Sequence, residues 1–292
     1  MKKLMLGLFA ILSLGYGVNA QSIVDAEDGT NPNDFYQTGI VVGKRAMPYP
    51  YLRESDVVWK MLVWRKIDFN ESFNQFFYFP VDQDKNTQGR ISLVNLIINA
   101  AKNGSFEVYE DDDMKVPQDL EKAIAGLNGQ RKTTEYGEED EFGDVEEKEV
   151  ISPDPFDAGS VKTAMLKECW YIDKQDTRQK VRIVGLAFSY RKNMVRAGQE
   201  EETQAESFWI PMNHMTVRQV LVNANAFDEN NDVAERSYDD VFIQRYFDSY
   251  ITRKSNKFNR RIDEYLTGED AIVQSQMIEE ELFNIESDMW EY

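Results

Sequence analysis

One cysteine and one histidine stand in a chain of 292 residues. A single Cys forms no internal disulfide and no Cys-rich zinc site. A single His excludes His-cluster metal sites and leaves little from which to build a Ser-His-Asp triad. Positive charge is also scarce: 33 Lys and Arg against 52 Asp and Glu give a formal charge of −19. A protein that works by neutralising phosphates normally carries the opposite balance, which argues against DNA or RNA binding as the main activity. Past the N-terminal region, no apolar run reaches the length of a membrane-spanning helix. No Gly-x-Ser-x-Gly elbow, P-loop or Gly-x-Gly-x-x-Gly is present. What is present is a core: 42% hydrophobic and 12% aromatic residues exclude wholesale disorder and suffice for one large domain or two ordinary ones.

The N-terminus has the pattern of an export signal. Lys2 and Lys3 form a basic region, Leu4 to Leu14 an apolar run, and Val18-Asn19-Ala20 a small-residue cleavage site. The expected organisation is therefore a signal peptide over 1–20, cleaved after Ala20, and a mature chain from Gln21. The apolar run is not followed by a Cys for lipid attachment, and it is too short for a permanent anchor. Residues 21–50 are polar, with Asn31-Pro32-Asn33 and Pro48-Tyr49-Pro50, and read as an extended arm.

A first α+β unit is expected over 51–134. Leu52 to Val58 has helical character, and a strand is centred on Leu62-Val63-Trp64. Phe76-Phe77-Tyr78-Phe79 reads as an aromatic strand stopped by Pro80. Ser92 is placed to N-cap a helix carrying Leu93, Leu96, Ile97 and Ala100, ended by Asn103-Gly104. An acidic linker over 135–160 is expected to be disordered, because residues 135–149 hold nine acids and one base, Lys148, with almost no apolar side chains.

The second unit, 161–292, partly repeats the first. Met165-Leu166 to Ile172-Asp173 parallels Met61-Leu62 to Ile67-Asp68, and Phe208-Trp209-Ile210-Pro211 parallels Phe77-Tyr78-Phe79-Pro80. Thr216 then caps a helix with Val217, Val220, Leu221 and Ala224, as Ser92 caps its counterpart, while Val181 to Tyr190 inserts a strong strand. An internal duplication is one reading; two unrelated units sharing turn chemistry is the other. The C-terminal region reads as mainly helical. Residues 244–261 hold six bases (Arg245, Arg253, Lys254, Lys257, Arg260, Arg261) and one acid, Asp248. After Thr267-Gly268 a final helix carries the stripe Ile278, Leu282, Ile285 and Met289, widened by Phe283 and Trp290.

Catalytic patterns do not assemble. Ser189-Tyr190-Arg191-Lys192 matches Ser-x-x-Lys but has no companion Lys-Thr-Gly, and His214 reads as a structural or solvent-facing loop residue. Asp228 to Asp239 has calcium-loop spacing, but Val233 stands where the turn needs Gly. Cys169 reads as a buried thiol. No cofactor or metal is expected.

Two stretches carry a specific likeness. Pro48-Tyr49-Pro50-Tyr51-Leu52-Arg53-Glu54-Ser55-Asp56-Val57-Val58-Trp59, continuing to Val63-Trp64-Arg65-Lys66-Ile67-Asp68, resembles the opening signature of the GldN/PorN family. So do Asp239-Asp240-Val241-Phe242, Arg245-Tyr246-Phe247, Thr267-Gly268-Glu269-Asp270, Glu279-Glu280-Glu281-Leu282-Phe283-Asn284 and the ending Trp290-Glu291-Tyr292. The resemblance implies a periplasmic part of the type IX secretion and gliding apparatus of the Bacteroidetes. It implies assembly into rings with a GldK/PorK-like outer-membrane lipoprotein, contact with a GldM/PorM-like motor driven through GldL/PorL, and no catalytic residues. Within it, Trp59, Trp64 and Asp68 are the expected signature core. The candidate partner interface is Ile278, Leu282, Phe283, Ile285, Met289 and Trp290, with Arg253, Lys254, Lys257, Arg260 and Arg261. The stripe is open to two uses, burial on the protein's own core or on a partner. The acidic run 135–149 and the basic run 244–261 either meet between neighbours or face solvent. The competing functional class is an exported enzyme or ligand-binding protein with an unrecognised site.

Overall fold

The structure, a computed structural model, describes residues 44–81, 90–127, 129–139, 145–154, 157–176, 178–196, 199–228, 231 and 236–290. The signal peptide and positions 21–43 of the arm lie outside the described residues. The fold is α+β, built on an antiparallel sheet of six strands.

Strand β1 (Val57–Asp68) draws on Val, Trp, Leu and Ile, residues that suit a pleated half-buried surface. It pairs with β6 (Val161–Asp173) on one side and with β10 (Tyr250–Lys254) on the other. β6 in turn pairs with β7 (Gln179–Arg196), and β7 with β8 (Gln199–Glu206), giving the order β10-β1-β6-β7-β8, with the short β9 (Ile210–Pro211) also on β7; the short β2 (Val108–Tyr109) and β3 (Pro117–Gln118) pair with each other as a separate two-stranded sheet. The first and second units thus share one sheet. β1 reaches across about a hundred residues of chain for its partner, a pairing that no local pattern announces.

Helices α1 (Gln75–Tyr78), α2 (Leu93–Lys102), α3 (Leu120–Leu127), α4 (Met215–Val222), α5 (Tyr238–Gln244) and α6 (Glu269–Trp290) complete the order. Ser92 caps α2 as expected, accepting from the Asn95 amide at 3.4 Å, and the helix buries Leu93, Val94, Ile97 and Ile98. In α4 the cap position is His214, not Thr216; the ring Nδ1 lies 2.8 Å from Thr216 Oγ1 on an exposed turn. Leu93 and Ile97 of α2, Leu221 of α4 and Val241 of α5 join Leu166 of β6, Leu186 of β7 and Ile210 of β9 in the main core. Tyr238 is buried there and donates to the Ile91 carbonyl at 2.9 Å. Burial pushes its phenol well above the ordinary tyrosine range.

Three further expectations change. Phe76 to Tyr78 is the end of a helical turn, not a strand: Phe77 is buried among Phe69, Tyr238, Phe242 and Phe247, and this aromatic packing overrides local β-propensity. Leu52 to Val58 holds a 3-10 turn over Glu54–Asp56 before β1 begins. The acidic segment, expected to be disordered, forms a hairpin where it is described, β4 (Gly129–Glu139) with β5 (Val145–Asp154). Its ladder sets Glu135 opposite Lys148 and Thr133 opposite Val150, and Lys132 Nζ meets Glu149 Oε2 at 2.6 Å. β4 also runs against β7. Backbone pairing and a neighbouring strand supply what composition alone does not.

Candidate partner interface

α6 begins after Gly268, whose φ of 63° is the left-handed conformation that a glycine adopts at no steric cost. Ile278 and Leu282 from this helix are buried with Val63, Ile251 and Ile262, and Ile285, Trp59, Met61 and Trp170 pack partly against them. Ser275 Oγ accepts the Ile251 amide at 2.9 Å, so the helix also covers the outer edge of β10. Gln179 donates to the Leu282 carbonyl at 3.0 Å. The inner part of the stripe is therefore used within the fold, each fully buried aliphatic side chain contributing about 1.5–3 kcal/mol. Phe283 is off this stripe and 73% exposed, joined on the outer side by Ile272 (62%), Met277 (57%) and Val273 (51%). Met289 and Trp290 belong to the helix by their backbone; their side chains lie outside the described part.

Alternation along β1 and β6 turns Arg65 and Glu168 to the same face as Val63 and Leu166, between the main core and the α6 cluster. There the Glu168 carboxylate, wholly buried, accepts from Arg245 Nη1 at 2.7 Å and from the Trp170 indole at 2.9 Å, and lies 3.3 Å from Arg65 Nε. Arg65 extends the cluster to α6 through Glu279 Oε1 at 2.5 Å and to Ser249 Oγ at 3.2 Å. Sequence reasoning missed Arg65 and Glu168 because each looks like an ordinary charged position on a half-buried strand.

The basic run is mostly spent inside the chain. Besides Arg245 on Glu168, Arg253 pairs with Asp112, Lys254 with Glu281 at 2.5 Å, and Arg261 with Glu206. None of these acids belongs to 135–149. The Arg253 guanidinium also lies 3.6 Å from the centroid of the Trp64 ring, while Lys167 Nζ approaches that ring at 5.4 Å. The signature residues divide accordingly: Trp64 is buried with Met165, Ala187 and Trp209 on the opposite face of the sheet, and Trp59 is half-buried beneath α6. Asp68 is the last residue of β1, its Oδ1 accepting the Asn70 amide of the following turn at 2.9 Å.

Lys257 and Arg260 have a different setting. They lie on the loop after β10, with Lys257 Nζ at 5.0 Å and Arg260 Cζ at 4.5 Å from the centroid of the Phe258 ring.

A second buried pair, also missed from sequence, joins α4 to α5. Arg218 donates to both carboxylate oxygens of Asp239, at 2.9 and 2.8 Å, and to the Met47 carbonyl. The Tyr49 ring lies 4.4 Å from Arg218 and 5.2 Å from Arg182, and Arg182 Nη2 holds the Pro50 carbonyl at 2.6 Å. The Pro48-Tyr49-Pro50 end of the arm is thereby stacked between two arginines.

A cavity of about 800 Å³ opens between β10 and α6, lined by Lys66, Asp248, Tyr250, Arg261, Ile272 and Glu279 among others. Among the described residues no group of three or more His, Cys, Asp or Glu is arranged to hold a metal ion, and no helix is long and apolar enough to cross a membrane. The calcium-like stretch after Asp228 lies largely outside the described residues. Burial pushes the half-buried Cys169 thiol up, against the pull of Lys60 and Arg182.

No curated protein matches this chain. The family described as gliding motility associated protein GldN matches residues 52–291, which takes in β1, the Glu168 cluster, the Phe258 loop and all but the last residue of the C-terminal segment. The chain therefore belongs to the GldN family and is a component of the gliding motility and type IX secretion machinery.

Proposed function

We propose that this chain is a non-enzymatic structural subunit of a periplasmic ring that supports type IX secretion and gliding. It is exported with cleavage after Ala20 and is held at the outer membrane by a GldK/PorK-like lipoprotein. Its ring is engaged by the periplasmic part of a GldM/PorM-like motor. The observation that carries this reading, beside the family, is the two-sided use of α6. Its inner side is consumed by Val63, Ile251 and Ile262, yet its outer side still bears Ile272, Val273, Met277 and Phe283, all more than half exposed. Val273 and Met277 are one turn apart, and Ile272 and Phe283 lie about three turns apart on a second line roughly 100° around the helix. Large apolar side chains in that number on one helix mark a docking face, and the lipoprotein is the occupant we assign to it.

The test is co-purification with the lipoprotein. A Met277→Ser/Phe283→Ser variant changes only exposed positions and is expected to fold, to be exported and to lose the partner. Undiminished co-purification would remove the outer side of α6 from the interface.

A further inference from the structure

The loop from Ser255 to Arg261 is built to hold one shape. Asn256 Oδ1 accepts the amides of Phe258 at 3.0 Å and Arg260 at 3.1 Å, while its Nδ2 donates to the carbonyls of Lys254 at 3.1 Å and Arg260 at 2.9 Å. Asn259 takes a φ of 49°, a conformation that Asn tolerates better than most residues. The Ser255 amide ties the loop to the Leu62 carbonyl at 2.8 Å. This scaffolding presents an aromatic ring to water: Phe258 is 61% exposed, with the Lys257 and Arg260 cations against it. Of the six bases in this segment, Arg245, Arg253, Lys254 and Arg261 have carboxylate partners; Lys257 and Arg260 have none among the described residues. Beside Phe258 lies a cleft of about 290 Å³ lined by Ile262, Tyr265 and Ile278. A rigid aromatic flanked by cations and an apolar cleft has the composition of an interface hot spot.

The complement to this surface stands on the same chain. The β7–β8 hairpin runs beyond β6: the last β6 partner of β7 is Tyr190, whereas the hairpin ladder continues to Arg196 opposite Gln199. β8 carries Glu200-Glu201-Glu202, and its register sets Val195 opposite Glu200 and Met194 opposite Glu201. Acidic and apolar residues thus share one end of an arm, as cations and an aromatic share the loop. β8 pairs with β7 alone among the described strands, leaving its other edge without a strand partner. Within one chain, Arg261 at the base of the loop already pairs with Glu206 at the root of the arm. Glu202 and Glu200 stand four and six residues further along β8, roughly 13–20 Å at strand spacing.

We propose that the Phe258 loop of one copy docks on the acidic end of the β7–β8 arm of a second copy, with Lys257 and Arg260 facing the Glu200–Glu202 run and Phe258 contacting the open strand edge. Loop and arm are different surfaces, so the contact is head-to-tail and propagates from copy to copy, closing into a ring when the rotation allows. This inference rests on the ring reading above and specifies which surfaces of the subunit meet.

The experiment uses the full chain co-expressed with the lipoprotein. A photo-crosslinking amino acid at position 258 should yield a covalent dimer of this chain whose linked peptide lies within 191–206. Lys257→Glu/Arg260→Glu should weaken self-association about tenfold or more, and Glu200→Lys/Glu201→Lys/Glu202→Lys should do the same. Combining the two sets should restore most of the loss. Crosslinks from 258 to the lipoprotein, or to any other part of a second copy, overturn the proposed contact. So does undiminished assembly of the loop variant. In those cases large assemblies of the wild type would leave the ring reading standing. A wild type that forms no species beyond a one-to-one pair with the lipoprotein overturns both.

Discussion

Arg65 and Glu168 meet diagonally across β1 and β6, Nε to Oε2 at 3.3 Å, with side chains 5% and 0% exposed. The pair sits where the main core ends and the α6 cluster begins, and through Arg245 and Glu279 it joins the two. Two cations on one buried carboxylate make its loss costly: with Glu168 gone, Arg65 keeps only Glu279 and Ser249. Removing one member of a buried ion cluster costs about 3–5 kcal/mol, because the remaining charge stays buried without its partner. Glu168→Ala should lower stability by that amount in a urea titration; a loss under about 1 kcal/mol would mean the cluster is solvated like a surface pair.

Trp64→Ala removes a large side chain from a packed site and also strips Arg253 and Lys167 of the ring they lie over. Such a truncation costs about 3–5 kcal/mol, or about 6–20 °C in Tm at this size. A melting temperature equal to the wild type's would contradict the burial of Trp64.

Removing Ile285 through Tyr292 spares Ser275, Ile278 and Leu282, the α6 side chains buried in the fold among the described residues. The truncated chain should therefore keep its circular dichroism spectrum and unfold cooperatively. Leu282→Ala in the full-length chain should cost about 2–5 kcal/mol. A truncation that unfolds the whole protein would place the last turns of the helix in the core.

The raised pKa of Cys169 leaves less thiolate at neutral pH than a free cysteine has. Alkylation by iodoacetamide at pH 7 should be slow in the folded protein and speed up on denaturation in urea. Equal rates in the two states would contradict this setting.

Local signals in the sequence carry α2 and α6 well. Ser92 followed by apolar residues at helical spacing, and Gly268 before a 4-3-4 stripe, are start signals with a mechanism. The strong strands β1, β6 and β7 also declare themselves through runs of β-branched and aromatic side chains. Elements fixed by distant partners are not legible in this way. Phe77 becomes helical because Tyr238, Phe242 and Phe247 surround it, and β10 becomes a strand because β1 pairs with it. The same holds for the charges. Nothing in the surroundings of Glu168 or Arg218 along the chain marks them as buried; only the fold brings Arg65, Arg245 and Asp239 to them. In the basic run the sequence shows six like positions, and the fold divides them into four with acid partners and two that flank Phe258.

The proposed role of this chain is that of a structural ring subunit held by a lipoprotein. Electron microscopy of the full-length chain co-expressed with that lipoprotein is the decisive measurement. Closed rings in the megadalton range that contain both proteins, lost with the Met277→Ser/Phe283→Ser variant, are the expected result. Wild-type material in which the chain is a monomer or small oligomer, separate from the lipoprotein, would contradict it.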